Sequence, residues 1–114
     1  MPAYAVAYLR RVDLGPAIFK YMACIDATLA PFEGRFLIHG GPVDPMDGHG
    51  SGDLVVIAFP DRESAHAWYA SPAYQAILPL RTGHSEGDAF IVDGLPDGYR
   101  AADKLAKLMP AAAV

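Results

Sequence analysis

The spacing of apolar residues predicts a strand and then a helix at the start of the chain. In a strand over residues 3–12, successive side chains would point to opposite faces, and both faces are apolar as far as Arg10. This pattern is typical of a strand that is covered on both faces. After a break at Pro16, apolar residues recur every three or four positions, as on the buried side of a helix; they are Ile18, Met22, Ile25, Leu29 and Phe32. We expect Gly34 to end this helix in a left-handed conformation.

Two further apolar runs predict the central hairpin of the fold. Residues 33–42 and 53–60 each hold a β-prone run, and the loop between them, residues 42–52, is rich in glycine and aspartate. Every position from 54 to 59 is apolar, so both faces of this strand need cover. The remaining pattern predicts two consecutive helices, capped by Asp61 and Ser71, and a last strand; they span residues 62–70, 73–80 and 88–93.

The order of these elements predicts a fold class. Strand, helix, strand, strand, helix, strand is the ferredoxin-like βαββαβ arrangement, an α+β fold with a four-stranded antiparallel sheet. Two helices can cover only one face of such a sheet, and the bare face is too apolar for a monomer in water. We therefore expect a homodimer in which two sheets face each other, a dimeric α+β barrel. Residues 1–96 are predicted to form this domain, and residues 97–114 a tail that is a short helix or frayed.

Composition and charge narrow the classes of function. The chain has 114 residues, enough for one domain, and its net charge of -4 repels phosphate backbones, so we expect no nucleic-acid partner. No stretch approaches the ~18 consecutive apolar residues that span a bilayer, and the N-terminus lacks a signal-peptide pattern, so we expect no membrane partner. Cys24 is the single cysteine and has no intramolecular disulfide partner. These features predict a soluble, cytoplasmic protein.

Several blocks of the sequence also resemble a known family. They are GRFLIHGG at 34–41, VIAFP at 56–60, AWYASPAYQ at 67–75, LR at 80–81, EGD at 86–88 and VDG at 92–94. In order and spacing they resemble the DUF1330 family. The resemblance implies the dimeric α+β barrel superfamily, which also holds cofactor-independent monooxygenases of polyketide biosynthesis, haem-degrading enzymes and small isomerases, and it implies no single activity. The loop 42–52 and the tail after Asp97 depart from the family pattern.

His39 is the first candidate for catalysis. If Phe36 and Ile38 pack on the helices, then Arg35, Leu37 and His39 turn towards the opposite, barrel-lining face of the sheet. A histidine in an apolar cavity could act as a general base on an acidic carbon or a phenol. The alternative is a histidine that only satisfies a backbone carbonyl at the end of a strand.

Arg81 is the second candidate for catalysis. It follows the second helix, where a guanidinium could hold a substrate carboxylate or enolate by two hydrogen bonds. The alternative is an ion pair with Glu86 or Asp88.

Four residues are candidates for ligand binding: Tyr4, Tyr8, Arg35 and His84. The two tyrosines share a strand face, where their hydroxyls could orient a polar aromatic ligand or could simply fill an interface. His84 and Glu86 stand two residues apart, but no third ligand is apparent, so we expect no metal site.

These residues leave three hypotheses. The first is a cofactor-free enzyme, similar to a monooxygenase or an isomerase, that acts on a small aromatic or carbonyl compound with His39 as base and Arg81 as clamp. The second is a small-molecule-binding dimeric module without catalysis. The third is a haem-handling protein with His39 or His84 as axial ligand. Under the first two hypotheses no cofactor is expected.

Overall fold

Four strands and three helices form the βαββαβ arrangement, with the second helical segment split in two and a further helix after the last strand. The computed structural model describes residues 1–109. The strands form one antiparallel sheet in the order β2-β3-β1-β4, which confirms the predicted ferredoxin-like α+β fold. The elements are β1 (Ala3–Val12), α1 (Pro16–Leu29), β2 (Arg35–His39), β3 (Asp53–Phe59), α2 (Arg62–Ala70), α3 (Pro72–Thr82), β4 (Ser85–Asp93) and α4 (Ala101–Leu108).

The core lies between one face of the sheet and the helices. Odd-numbered residues of β1 and β3 point to this side, and Ala3, Ile57 and Phe59 are buried there against α1, α2 and α3. The even-numbered residues face the other way, and no helix within residues 1–109 buries them. We call this second side the open face; its side chains include Tyr4, Val6, Tyr8, Ile38, Leu54, Val56, Phe90 and Val92.

A β-bulge in β2 decides where His39 points. Phe36 and Ile38 pair with successive residues of β3, so Leu37 is an extra residue between them and the side-chain alternation slips by one position. His39 consequently pairs with Val55, a residue of the helix side. The prediction that Ile38 packs on the helices and His39 lines the opposite face is therefore wrong, because the bulge exchanges their directions.

The end of α1 also differs from the prediction. A short 3-10 helix, Ala30–Phe32, follows α1, and the left-handed residue after it is Glu33, with φ of 56°, not Gly34. Gly34 is needed for a different reason. A Cβ at this position would lie 2.8 Å from side-chain atoms of both Leu29 and Phe59, so the glycine allows β2 to approach the core.

The two predicted helix caps in the second half of the chain are present. The Asp61 carboxylate accepts a hydrogen bond from the Ser64 N–H at 2.7 Å, and the Ser71 hydroxyl accepts one from the Tyr74 N–H at 3.3 Å. The backbone hydrogen bond from Ser64 lowers the pKa of Asp61. Pro72 opens α3 just after its cap, so the helical segment splits at Ser71 as predicted.

The end of the described chain forms a helix that touches little of the domain. Every residue of α4 is exposed. The predicted tail extends to residue 114, and residues 110–114 lie outside the described residues. None of the helices within residues 1–109 has both the length and the apolar character needed to cross a bilayer.

Candidate functional site

A cavity of about 630 Å³ lies between the helix side of the sheet and the helices. It is mainly apolar, with a few polar groups in its wall, which is typical of a site for a small organic ligand. Side chains from β1, β2, β3, α1, α2 and α3 contribute to it, among them Leu9, Ile18, Tyr21, Ile25, Phe36, His39, Asp53, Ile57, His66, Trp68, Tyr69, Tyr74 and Arg81. The cavity therefore brings both catalytic candidates, His39 and Arg81, into one space.

Topology explains why these two residues share a cavity. The end of β2 and the start of β3 meet the end of β1, because Leu9 pairs with both Asp53 and Gly87. His39 ends β2, and Arg81 lies on the last turn of α3, just before β4 begins at the same end of the sheet. The wall of the cavity at this end is thus built from residues far apart in the chain.

Arg81 is half-buried in this wall beside two tyrosines. The hydroxyls of Tyr21 and Tyr74 are 2.8 Å apart and hydrogen-bonded, and their rings meet edge to face with centroids 6.1 Å apart. Arg81 forms no ion pair with any of residues 1–109. The two carboxylates that we had considered as its partners are engaged elsewhere: Glu86 pairs with Arg11, and Asp88 pairs with Arg10 at 2.9 Å.

The protonation states of this group are set by its surroundings. Burial raises the pKa of Tyr21, and Tyr74 raises it further, against a smaller opposing effect of the Arg81 guanidinium. Burial acts to lower the pKa of Arg81, but the oxygens of Tyr74 and Tyr21 outweigh it, so the pKa is raised overall. Arg81 is therefore a cation at neutral pH, and Tyr21 is a neutral phenol that can donate a hydrogen bond.

His39 lies at the exposed rim of the cavity. Its imidazole stacks on the ring of Phe36, with centroids 4.7 Å apart and an angle of 16° between the planes. No side-chain hydrogen bond is formed by this imidazole within residues 1–109, so the alternative of a histidine that satisfies a backbone carbonyl is not what the structure shows. Both ring nitrogens remain available to a ligand in the cavity.

Aromatic rings form a further part of the wall. Trp68 lies against Tyr74, with ring centroids 4.1 Å apart, and its Nε1–H donates a hydrogen bond to the Thr28 hydroxyl at 3.0 Å. Neither these aromatic residues nor Tyr21 were among the site residues predicted from the sequence. The available signal was spacing, because Tyr21 lies three residues after Ile18 and four before Ile25, on the buried stripe of α1.

The four ligand-binding candidates lie away from this cavity. Tyr4 and Tyr8 belong to the open face, and Tyr4 and Arg35 line a second pocket there, of about 470 Å³. His84 is exposed between α3 and β4, and its Nδ1 lies 3.1 Å from the Leu80 carbonyl oxygen. The structure thus separates the candidates into a cavity pair, an open-face group and a surface histidine. No cluster of three or more metal-ligating side chains occurs within residues 1–109.

Comparison with known proteins agrees with this fold. A family model described as a domain of unknown function, DUF1330, matches residues 2–95. No curated protein matches the chain.

Several solved structures share the fold at low sequence identity. A dimeric ferredoxin-like protein of unknown function from Jannaschia sp. CCS1 is 18% identical, with a TM-score of 0.60 over 84% of this chain and 100% of the other. The protein RPA0582 of unknown function from Rhodopseudomonas palustris is 15% identical, with a TM-score of 0.59 over 83% of each chain. SnoaB, a cofactor-independent oxygenase from Streptomyces nogalater, is 13% identical, with a TM-score of 0.55 over 87% of this chain and 97% of the other.

Proposed function

This chain belongs to the DUF1330 family, and we propose that it is a cofactor-free enzyme for a small aromatic or carbonyl compound that carries an anionic group. The observation that supports this most strongly is the Arg81 guanidinium, which lines an apolar cavity without an acidic partner among residues 1–109. A cation in such surroundings favours an anion, because the low dielectric strengthens their attraction and the guanidinium has donors to share. The aromatic wall favours a planar ring beside that anion.

Three groups in this cavity suit a reaction that begins with proton abstraction. His39 offers a nitrogen at the rim, where it can take a proton from an acidic carbon or a phenol. The resulting enolate or phenolate oxygen gains negative charge, which the Arg81 guanidinium and the Tyr21 hydroxyl can stabilise. The same first step serves an isomerisation and an oxygenation without a cofactor. The similarity to SnoaB supports the fold alone, so the proposal depends on the cavity.

Phenylpyruvate is a suitable probe, because it combines a ring, a carboxylate and an acidic carbon beside a carbonyl. The protein is expected to accelerate exchange of the C3 protons of phenylpyruvate with deuterium in D₂O, measured by proton NMR. Replacement of the base, His39→Ala, is expected to reduce this acceleration by roughly 10²- to 10⁴-fold. His84→Ala is the matched control, since His84 lies outside the cavity wall, and it should exchange at the wild-type rate. Equal rates for the His39→Ala and wild-type proteins would rule out His39 as the base.

A binding module without catalysis is the second candidate function. It is favoured by the surroundings of His39, because no carboxylate within residues 1–109 hydrogen-bonds to the imidazole to orient it as a base. Under this reading phenylpyruvate raises the melting temperature of the protein, and its C3 protons exchange no faster than in buffer.

We further propose that the functional unit is a homodimer formed through the open face. This face exposes large apolar side chains, including Phe90 at 51% and Leu37 at 47%, and an isologous pairing would cover both copies at once. The related structures from Jannaschia and elsewhere are described as dimeric. We place this dimer in the cytoplasm, where a free cysteine such as Cys24 stays reduced.

The dimer gives a specific expectation for Leu37→Asp. A carboxylate at this position would be buried between the sheets, so the variant is expected to be monomeric at concentrations where the wild type is a dimer. Leu37 is partly exposed and outside the core, so the monomer should remain folded. The measurement is sedimentation velocity together with circular dichroism. The control is Phe19→Asp, which also replaces an exposed apolar side chain by a carboxylate, but on α1; this variant should remain dimeric. A stable dimer of the Leu37→Asp variant would contradict the proposed interface.

A further inference from the structure

The helix α4 has an apolar side that no part of its own protomer within residues 1–109 buries. Leu105 is 56% exposed, Leu108 is 70% exposed and Met109 is 53% exposed. These three residues fall on one side of the helix together with alanines, whereas Asp103, Lys104 and Lys107 fall on the other. An eight-residue helix is unstable in water unless its apolar side packs on something. The surface that supports α4 must therefore come from elsewhere.

The point at which the chain departs from the domain indicates where that surface is. The Gly94 N–H donates a hydrogen bond to the Pro2 carbonyl at 2.7 Å, and a Cβ on Gly94 would lie 2.9 Å from the ring of Tyr4. Tyr4 belongs to the open face and also lines the second pocket. We call residues 94–109 the C-terminal arm. The arm therefore starts at the edge of the face through which the proposed dimer forms.

The second pocket lies at the same end of the sheet. Asp93 pairs with Ala3, which pairs with Phe59 on its other side, and Arg35 pairs with the residue before Phe59. The pocket is built from this end of β1, β2 and β3, with side chains that include Tyr4, Arg35, Leu37, Ala58 and Pro60. Glu33 lines it as well, so apolar and polar groups share the wall of this pocket.

A two-fold axis that lies between the sheets and along the strands would bring the arm of one copy to the pocket of the other. The strand order places β2 and β4 at opposite edges of the sheet. If the two-fold axis lies between the sheets and along the strands, β4 of one copy lies over β2 of its partner, and equivalent ends of the sheets stay together. Stacked sheets are about 10 Å apart, and the residues between Gly94 and α4 can span roughly 20 Å when extended. The arm is therefore long enough to reach the partner.

We propose that the two protomers exchange their C-terminal arms, with the apolar side of α4 seated in the second pocket of the partner. Each arm then closes one side of the space between the sheets at this end. The proposal depends on the homodimer proposed above. It assigns a role to α4, which lies beyond residues 2–95, the part of the chain that matches the family model.

The double variant Leu105→Gln/Leu108→Gln tests this exchange, because glutamine keeps the helix propensity while it removes the apolar side. The dissociation constant of the dimer, measured by sedimentation equilibrium, is expected to rise by at least about tenfold, as loss of buried leucine area predicts. Lys104→Gln/Lys107→Gln, on the polar side of the same helix, is the matched control and should leave the constant within about twofold.

A second variant distinguishes contact with the pocket from a general effect. Leu37→Gln should also raise the dissociation constant of the dimer. Combined with the arm variant, it should raise the constant by less than the product of the two separate fold-increases, because both substitutions remove the same contact between α4 and the second pocket. Equal dissociation constants for the arm variant and its lysine control would overturn arm exchange without contradicting the dimer. Fold-increases that simply multiply in the combined variant would have the same meaning. A wild-type protein that stays monomeric at all concentrations would overturn the dimer itself.

Discussion

Arg81→Met is expected to abolish the preference of the cavity for anionic ring compounds. The matched probes are 2-naphthoate and 2-naphthalenemethanol, which share a ring system and differ in charge. Hydrogen bonds to a charged group contribute about 1.5–3 kcal/mol, so the variant should bind 2-naphthoate roughly 10- to 150-fold more weakly. Binding of the neutral alcohol should stay within about threefold, because methionine keeps most of the apolar volume. Isothermal titration calorimetry measures both affinities.

Two controls separate the geometry of Arg81 from its charge. Arg11→Met removes a guanidinium that pairs with Glu86 outside the cavity, so it should leave both affinities unchanged. Arg81→Lys keeps the charge but loses the paired donors, and it should fall between the wild type and Arg81→Met. Equal loss of affinity for the acid and the alcohol in Arg81→Met would mean that the residue only shapes the cavity.

The same titrations should be independent of pH between about 8 and 9. The raised pKa values of Tyr21 and Arg81 keep both groups protonated throughout this range, and 2-naphthoate is ionised throughout it. Affinity for the carboxylate is therefore retained as the pH rises through this range, since Arg81 and Tyr21 both keep their protons.

Trp68→Ala is expected to cause the largest loss of stability in the chain, about 3–5 kcal/mol of unfolding free energy. Trp68 is buried, its ring packs on both Tyr74 and Phe59, and its Nε1–H donates to Thr28. The truncation would leave a large hole beside the ligand cavity and remove a contact between α2 and α1. Urea unfolding at a fixed protein concentration measures the change, since the proposed dimer makes stability depend on concentration.

Two companion variants divide this effect into its parts. Trp68→Phe keeps an aromatic ring and loses the hydrogen bond to Thr28, whose hydroxyl still donates to the Ile25 carbonyl, so it should cost only about 1–2 kcal/mol. Tyr69→Ala, next in sequence and partly exposed, should cost less than Trp68→Ala. A Trp68→Ala protein as stable as Tyr69→Ala would show that the Trp68 ring does not hold the helices to the sheet.

The fold was predictable because its signals are local and repeated. The strands at residues 3–12 and 54–59 are apolar over almost their whole length. Asp61 and Ser71 cap their helices by hydrogen bonds to residues three positions further along the chain. Each such signal is carried by neighbours in the sequence. The fourth strand was predicted too short at its start, because Ser85, Glu86 and Gly87 read as a polar loop and are held in the sheet by pairing with β1.

The candidate site was predictable only in part. His39 and Arg81 were identified by their chemistry, but the face on which His39 lies depends on the bulge at Leu37, which is a property of the pairing between β2 and β3. The role of Tyr21 depends on a hydrogen bond to Tyr74, a residue distant in the chain. The register of β2 against β3 and the contact between Tyr21 and Tyr74 each depend on two distant segments. The spacing of residues within one segment therefore could not predict either of them.

A crystal structure of the protein with 4-iodobenzoate would test the central claim most directly, because the anomalous signal of iodine locates the ligand without ambiguity. We predict the carboxylate within hydrogen-bond distance of the Arg81 guanidinium, and the iodinated ring against Trp68 in the cavity of about 630 Å³. Iodine at saturating ligand found only on the open face, or nowhere in the cavity, would contradict an anion-binding site at Arg81.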